Sequence, residues 1–180
     1  MTDELQRQLA DDLDAGFPVL VDTYGTLVLT IATRLTDAAT GEDITQEAFL
    51  RAYRALGSYE SKHISNLDLR PWLATITRNL VRNEYRRRER KPALSLEAGN
   101  HTEPAMRDPE PASHDLDELS RVLVDLTDAQ REAVVLRHVV GLPMREVALT
   151  MGCPDGTAKS HVSRGLAQLR STLDQREAHR

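Results

Sequence analysis

Between Leu126 and Arg170 the chain reads LTDAQREAVVLRHVVGLPMREVALTMGCPDGTAKSHVSRGLAQLR, and no other segment restricts the possible folds as much. Two apolar helical patterns, Met144 to Met151 and Thr157 to Leu169, flank Gly152-Cys153-Pro154-Asp155. Glycine stands where the first helix must stop and proline where the second can start, so the pair reads as a helix-turn-helix. With the apolar stretch before it, the segment predicts three short helices, the last placed to enter a DNA major groove.

A hydrophobic fraction of 40% with only 4% aromatic residues favours helices packed on Leu, Val, Ile and Ala, and long alternating strand patterns are absent. The expected fold class is all-α. The longest mostly apolar run, Ala133 to Val140, carries Arg137 and His138 and is too short to span a bilayer, and acidic residues stand where a signal peptide is basic. A cytoplasmic chain without membrane insertion is expected. Cys153 is the only cysteine and the histidines have no metal-ligand spacing with it, so neither an internal disulfide, a metal nor a cofactor is expected. No G-x-S-x-G, P-loop, H-E-x-x-H or glycine-rich dinucleotide turn occurs, which argues against an enzyme.

The net charge of −5 opposes unaided coating of nucleic acid, because phosphate neutralisation dominates non-specific affinity. Its distribution is uneven. Arg70, Arg78, Arg82, Arg86, Arg87, Arg88, Arg90 and Lys91 crowd one segment, opposed there only by Glu84 and Glu89, whereas Met1 to Asp14 and Glu97 to Glu118 are acidic. Such a chain suggests DNA contact gated by something else.

Pro92 to His114 carries four prolines and several acids without apolar periodicity, the composition of a linker. It divides the chain into two small helical domains, residues 1–91 and 115–180, around a linker at 92–114. In the first, helices are expected at about Gly16 to Leu35, Glu42 to Leu56 and Leu69 to Arg90. In the second of these, Ile44, Ala48, Phe49, Ala52, Tyr53 and Leu56 share an apolar side, and Leu50 falls among charges. That leucine is either a docking knob for a partner or an ordinary exposed apolar residue. The third places Leu69, Trp72, Leu73, Ile76 and Leu80 on one stripe and Arg78, Arg82 and Arg86 at four-residue steps opposite. A row of like charges is unfavourable by roughly 0.2–0.5 kcal/mol per pair and is relieved by an anion such as phosphate, although solvated charge faces are also common.

Three segments, DITQEAFLRAYRAL, LRPWLATITRNLVRNEYRRRER and the helix-turn-helix above, occur in that order across the Pro-rich stretch. Together they resemble the extracytoplasmic-function (ECF) branch of the bacterial RNA polymerase sigma factors, over most of residues 16 to 172. The resemblance implies a region 2-like domain, a linker and a region 4-like domain. The implied partners are core RNA polymerase and promoter DNA. Many members are also held by an anti-sigma factor that clamps between or around the two domains, an arrangement the linker permits.

Residue by residue, the resemblance assigns Asp43, Gln46, Glu47, Leu50, Arg51 and Arg54 to polymerase docking. It assigns Tyr59, His63 and Asn66, in a loop from Gly57 to Asp68, to capture of the melted minus-ten strand, together with Arg78, Asn79, Arg82, Asn83 and Arg86 on the next helix. Thr157, Lys159, Ser160, His161 and Arg164 match the helix that reads the minus-thirty-five duplex, with Arg164 suited to guanine and Lys159 and Ser160 equally suited to phosphate. Several positions depart from the family pattern: Asn83 stands for a frequent Asp, His161 and Leu166 for frequent arginines, and Gly165 and Pro154 also differ. Val162 and Leu169 are expected in the core. The linker acids Glu97, Glu103, Asp108 and Glu110 either mimic nucleic acid in a basic channel or belong to a plain tether. The competing reading is a free-standing helix-turn-helix regulator that binds duplex operators.

Overall fold

The computed structural model describes residues 2–90 and 122–178, and every regular element among them is helical. The N-terminal part comprises α1 (Thr2–Asp11), α2 (Leu13–Leu35), α3 (Ala38–Ser58), α4 (Ser61–Ser65) and α5 (Leu69–Arg90). The C-terminal part comprises α6 (Asp128–Val134), a π-helical turn over Val135–Val139, α7 (Met144–Met151) and α8 (Asp155–Ala178). The acidic Pro-rich stretch, with Glu97, Glu103, Asp108 and Glu110, lies outside the described residues.

The helix ends follow local chemistry. Asp12 caps α2 by accepting from the Ala15 amide, 3.1 Å, and Asp37 caps α3 by accepting from Thr40, 2.9 Å. Asp37 explains why α3 begins at Ala38, earlier than apolar periodicity indicated. α5 has the expected bounds, and Pro71 is tolerated because an N–H in the first turn has no partner to lose. Thr127 and Gln130 form a reciprocal capping box at α6. Gly152 ends α7 with φ 64°, a left-handed conformation that glycine adopts without steric cost.

Two helices were not anticipated. α1 offers only Leu5 and Leu9 as an apolar signal, and both become buried. α4 lies where a loop was expected, because a single turn with one buried residue, Ile64, has no readable period. α8 also runs past Leu169 to Ala178, where Arg176 lies 3.6 Å from Asp125.

α2 is long and apolar enough, by length and composition, to cross a membrane, a property missed by looking only for uninterrupted apolar runs. Here it is the central helix of the N-terminal part: Leu20, Val28, Ile31 and Ala32 are buried and α1, α3 and α5 pack around it. The core continues into the C-terminal part through Leu123, Leu126, Val134, Val135, Leu142 and Val147. α5 packs against α7, and α2 meets the π-helical turn. Arg70 donates to the Val140 carbonyl, 2.9 Å, across this junction.

Candidate functional site

The polar sector of α3 is open. Ile44, Ala48, Ala52 and Leu56 point into the core, so the 3.6-residue repeat turns Asp43, Gln46, Leu50, Arg51 and Arg54 outward, with Glu47 half-buried. Arg51 pairs with Glu47 at 2.6 Å, one turn apart. Leu50 is 44% exposed between them and stands clear of the core. Phe49 and Tyr53, expected on the apolar side, instead form its margin: Tyr53 is exposed, donates to Asp14 and meets Phe17 edge-on at 5.0 Å. The patch is an apolar anchor with a charged rim, the composition of a protein-docking surface.

The second set sits on α4 and α5. Tyr59 follows α3 as its cap, with its ring 4.5 Å from that of His63 and 6.3 Å from that of Trp72. Trp72 is half-buried beside Tyr59 and packs against the core. Asn66 is exposed and donates to the Lys62 carbonyl, 2.7 Å. On α5, Asn79, Arg82, Asn83 and Arg86 are exposed, and neither Arg82 nor Arg86 forms an ion pair with another described residue.

Arg78 departs from the expected solvent-facing row. It is 9% exposed and forms an ion pair with Glu132 of α6, itself 9% exposed. The cause is tertiary: the C-terminal part packs over the first step of the arginine row. Burial pushes the Glu132 carboxyl up, and the guanidinium of Arg78 partly opposes that shift. A second interfacial carboxyl, Glu146 of α7, is also raised, by burial and by the nearby charge of Asp68. Arg87 and Arg88 are committed elsewhere: both pair with Glu84, and Arg88 reaches Asp37 at 3.0 Å. The basic segment therefore presents a narrower free surface than its composition indicated.

The third set lies on the first turns of α8. Ala158 and Val162 are buried and anchor the helix, which leaves Thr157, Lys159, Ser160 and Arg164 exposed. Leu169 is half-buried against the core and Leu166 is 40% exposed. Arg164 donates to the Ser160 carbonyl, 3.2 Å. Gly165 lets α8 approach α6 closely, since a Cβ there would lie 2.7 Å from a methyl of Val134. His161 is half-buried and faces a cavity of about 380 Å³ between the two parts, whose other walls include Arg82, Tyr85, Arg86 and Asp128. Arg82 and Arg86 of α5 and His161 of α8 thus face one cleft.

Sequence reading missed Glu132 and Arg131 and gave Arg70 only a place in the basic cluster; these residues hold the C-terminal part together and seat it on the N-terminal one. Arg131 donates to the carbonyls of Leu123, 2.8 Å, and Leu126, 3.0 Å. Their partners are distant or backbone groups, so no local pattern announces them. Among the described residues no group of three His, Cys, Asp or Glu side chains is arranged to hold a metal ion.

Comparison with known proteins covers both parts. Residues 20–91 match the family model for sigma-70 region 2, and residues 116–169 match that for sigma-70 region 4. The chain is 33% identical over 138 residues to the ECF RNA polymerase sigma factor SigC of Mycobacterium tuberculosis, spanning 72% of this chain and 68% of that one. It is 30% identical over 181 residues to the RNA polymerase sigma-H factor of Pseudomonas aeruginosa, spanning 91% of each. Among solved structures, the sigma factor RpoE of Bartonella quintana, in complex with the anti-sigma factor NepR, superposes with a TM-score of 0.70 at 26% identity, covering 91% of this chain and 97% of that one. CnrH, in complex with the cytosolic domain of CnrY, shares the fold with a TM-score of 0.71 at 24% identity, covering 97% of both chains.

Proposed function

The chain belongs to the extracytoplasmic-function branch of the sigma-70 family, and from that membership we propose that it binds core RNA polymerase and directs it to one class of promoter. The observation that carries this reading is the exposed α3 patch around Leu50, which a free-standing operator-binding regulator has no need of. In it Asp43, Gln46, Glu47, Arg51 and Arg54 surround the anchor with charge and hydrogen-bonding capacity. Family members are initiation factors, so this chain acts as a specificity subunit and the polymerase supplies the chemistry. Its place of action is the cytoplasm.

Promoter recognition is divided between the two ends of the chain. Thr157, Lys159, Ser160, His161 and Arg164 read the minus-thirty-five duplex, as the start of a recognition helix does in the major groove. Tyr59, His63 and Asn66 hold an unstacked minus-ten base, while Asn79, Arg82, Asn83 and Arg86 track its backbone. Arg78 joins them only when the two parts separate and Glu132 releases it. The domains are residues 1–91 and 115–180, with residues 92–114 between them. An anti-sigma partner of the kind bound by RpoE fits the same two-part architecture.

The test is co-purification of the tagged chain with bacterial core polymerase, followed by fluorescence-monitored binding at physiological salt and run-off transcription. A saturable one-to-one complex that initiates at defined promoters supports the proposal. Folded protein that ignores the core but binds duplex DNA tightly by itself replaces it with the operator-binding regulator.

A further inference from the structure

α4 cannot hold itself. It has five residues, Glu60 at its N-terminus provides no side-chain cap, and a helix this short is far below the length that is stable alone. Its internal anchors are few: Ile64 is buried, while Ser61, Lys62, His63 and Ser65 are exposed. Yet two of the residues assigned to base capture, His63 and Asn66, lie on it and at its end.

The missing support comes from α1. Leu5 and Leu9 are 6% and 1% exposed, and α1 packs along both α4 and α2. Gln6, only 7% exposed, donates from its side-chain amide to the Leu67 carbonyl, just beyond α4. Ser61, at the other end of α4, donates to the Ala10 carbonyl at 3.0 Å. α1 therefore grips α4 at both ends. Its own placement is tight: a Cβ on Gly16 would lie 3.0 Å from the Leu9 amide nitrogen, so a larger residue there would press α1 away from α2 by a few tenths of an ångström. The region 2 model matches from residue 20 onward, so this helix is not part of the matched family domain.

We propose that α1 is a strut that sets the position of α4 for capture of the unpaired minus-ten base, with Gln6 and Leu9 as positioning residues. The inference rests on the minus-ten reading of Tyr59, His63 and Asn66. A capture pocket has to hold its groups in fixed geometry before the base arrives, since ordering them at binding lowers affinity. Leu9 fixes the distance between α1 and the core, and Gln6 ties the exit of α4 to it.

The experiment uses full-length chain bound to core polymerase. A promoter is first selected from a randomised duplex library with the wild-type holoenzyme. The probe is a single-stranded oligonucleotide of its minus-ten stretch, compared with copies carrying one abasic site at each position. The readout is the ratio of intact to abasic affinity, alongside core affinity and Tm. Gln6→Met keeps length and burial but removes the donor, and it should lower that ratio about threefold to tenfold at one position, the scale of one net hydrogen bond, with core affinity unchanged. Leu9→Ala should do the same more strongly, and Leu9→Met should restore it; if Leu9→Ala does not fold, Gln6→Met decides the matter. A merely structural helix would lower Tm and core affinity together and leave the ratio alone, which overturns the strut. An unchanged ratio in Gln6→Met and in folded Leu9→Ala, with a lowered one in Tyr59→Ala and His63→Ala, also overturns it while sparing the minus-ten reading. No change in those two variants overturns the minus-ten reading and the strut with it.

Discussion

α3 and α5 lie side by side in the N-terminal part, and each has an apolar face in the core and a charged face away from it. Their charged faces meet different fates. That of α3 is open at Asp43, Gln46, Leu50, Arg51 and Arg54, with Arg51 paired to Glu47. That of α5 is open at Arg82 and Arg86 but closed at Arg78, where α6 supplies Glu132. The difference teaches that amphipathic period locates a polar face and says nothing about what covers it. A carboxylate from another domain satisfies an arginine as a phosphate does, so a row of arginines does not by itself say which anion meets it.

The largest effect should come from uncovering the closed face. Glu132→Ala leaves the Arg78 guanidinium buried without a counter-charge, which costs about 3–5 kcal/mol of the closed arrangement. Small-angle scattering should then report a larger radius of gyration, and an unchanged radius would show that the pair does not hold the parts together. Combining Arg78→Met with Glu132→Leu should restore compactness, since an apolar pair of similar volume replaces a buried ion pair without loss.

On the open face, Leu50→Asp should weaken core polymerase binding by about 2 kcal/mol or more while circular dichroism stays unchanged. Loss of helicity would move Leu50 into the core and erase the contrast with α5. Arg82→Ala together with Arg86→Ala should impair promoter opening but leave core binding intact. Each lost contact to single-stranded phosphate should reduce the slope of log affinity against log salt by about 0.7. Identical slopes for variant and wild type would make these arginines a solvated face only.

pH separates the two kinds of carboxylate. Glu132 and Glu146 have raised values in the closed arrangement, so the closed form binds more protons than the parted one. Closure should therefore weaken as pH rises above the ordinary carboxylate range, measured as an expanding radius of gyration. Asp37 behaves oppositely. Its carboxyl is held at about 2, first by the Thr40 amide and then by Arg88, so its contribution is present above the ordinary value near 4 and is lost as pH falls toward 2. Asp37→Ala should cost about 1 kcal/mol at neutral pH, the usual value of an N-cap, and the gap to wild type should close in acid denaturation curves approaching pH 2.

Much of this architecture was legible in the residues. The bounds of α5, the Gly152 stop, the exposure of Leu50 and the burial of Val162 follow from 3.6-residue periodicity and from the backbone freedom of glycine, which are local properties. The short or weakly patterned helices α1 and α4 were not legible, because two apolar residues or one carry no period, and these helices exist through contact with each other and, for α1, with α2. The same limit applies within the site. The row of arginines was readable as a row, whereas its division into a buried Arg78, a bridging Arg88 and open Arg82 and Arg86 depends on Glu132 and Asp37, groups remote in the chain. Periodicity and capping are set by neighbours a turn apart, so the amino-acid order determines them. The partner of a charged side chain is set by which surfaces the core draws together, and only the tertiary structure decides that.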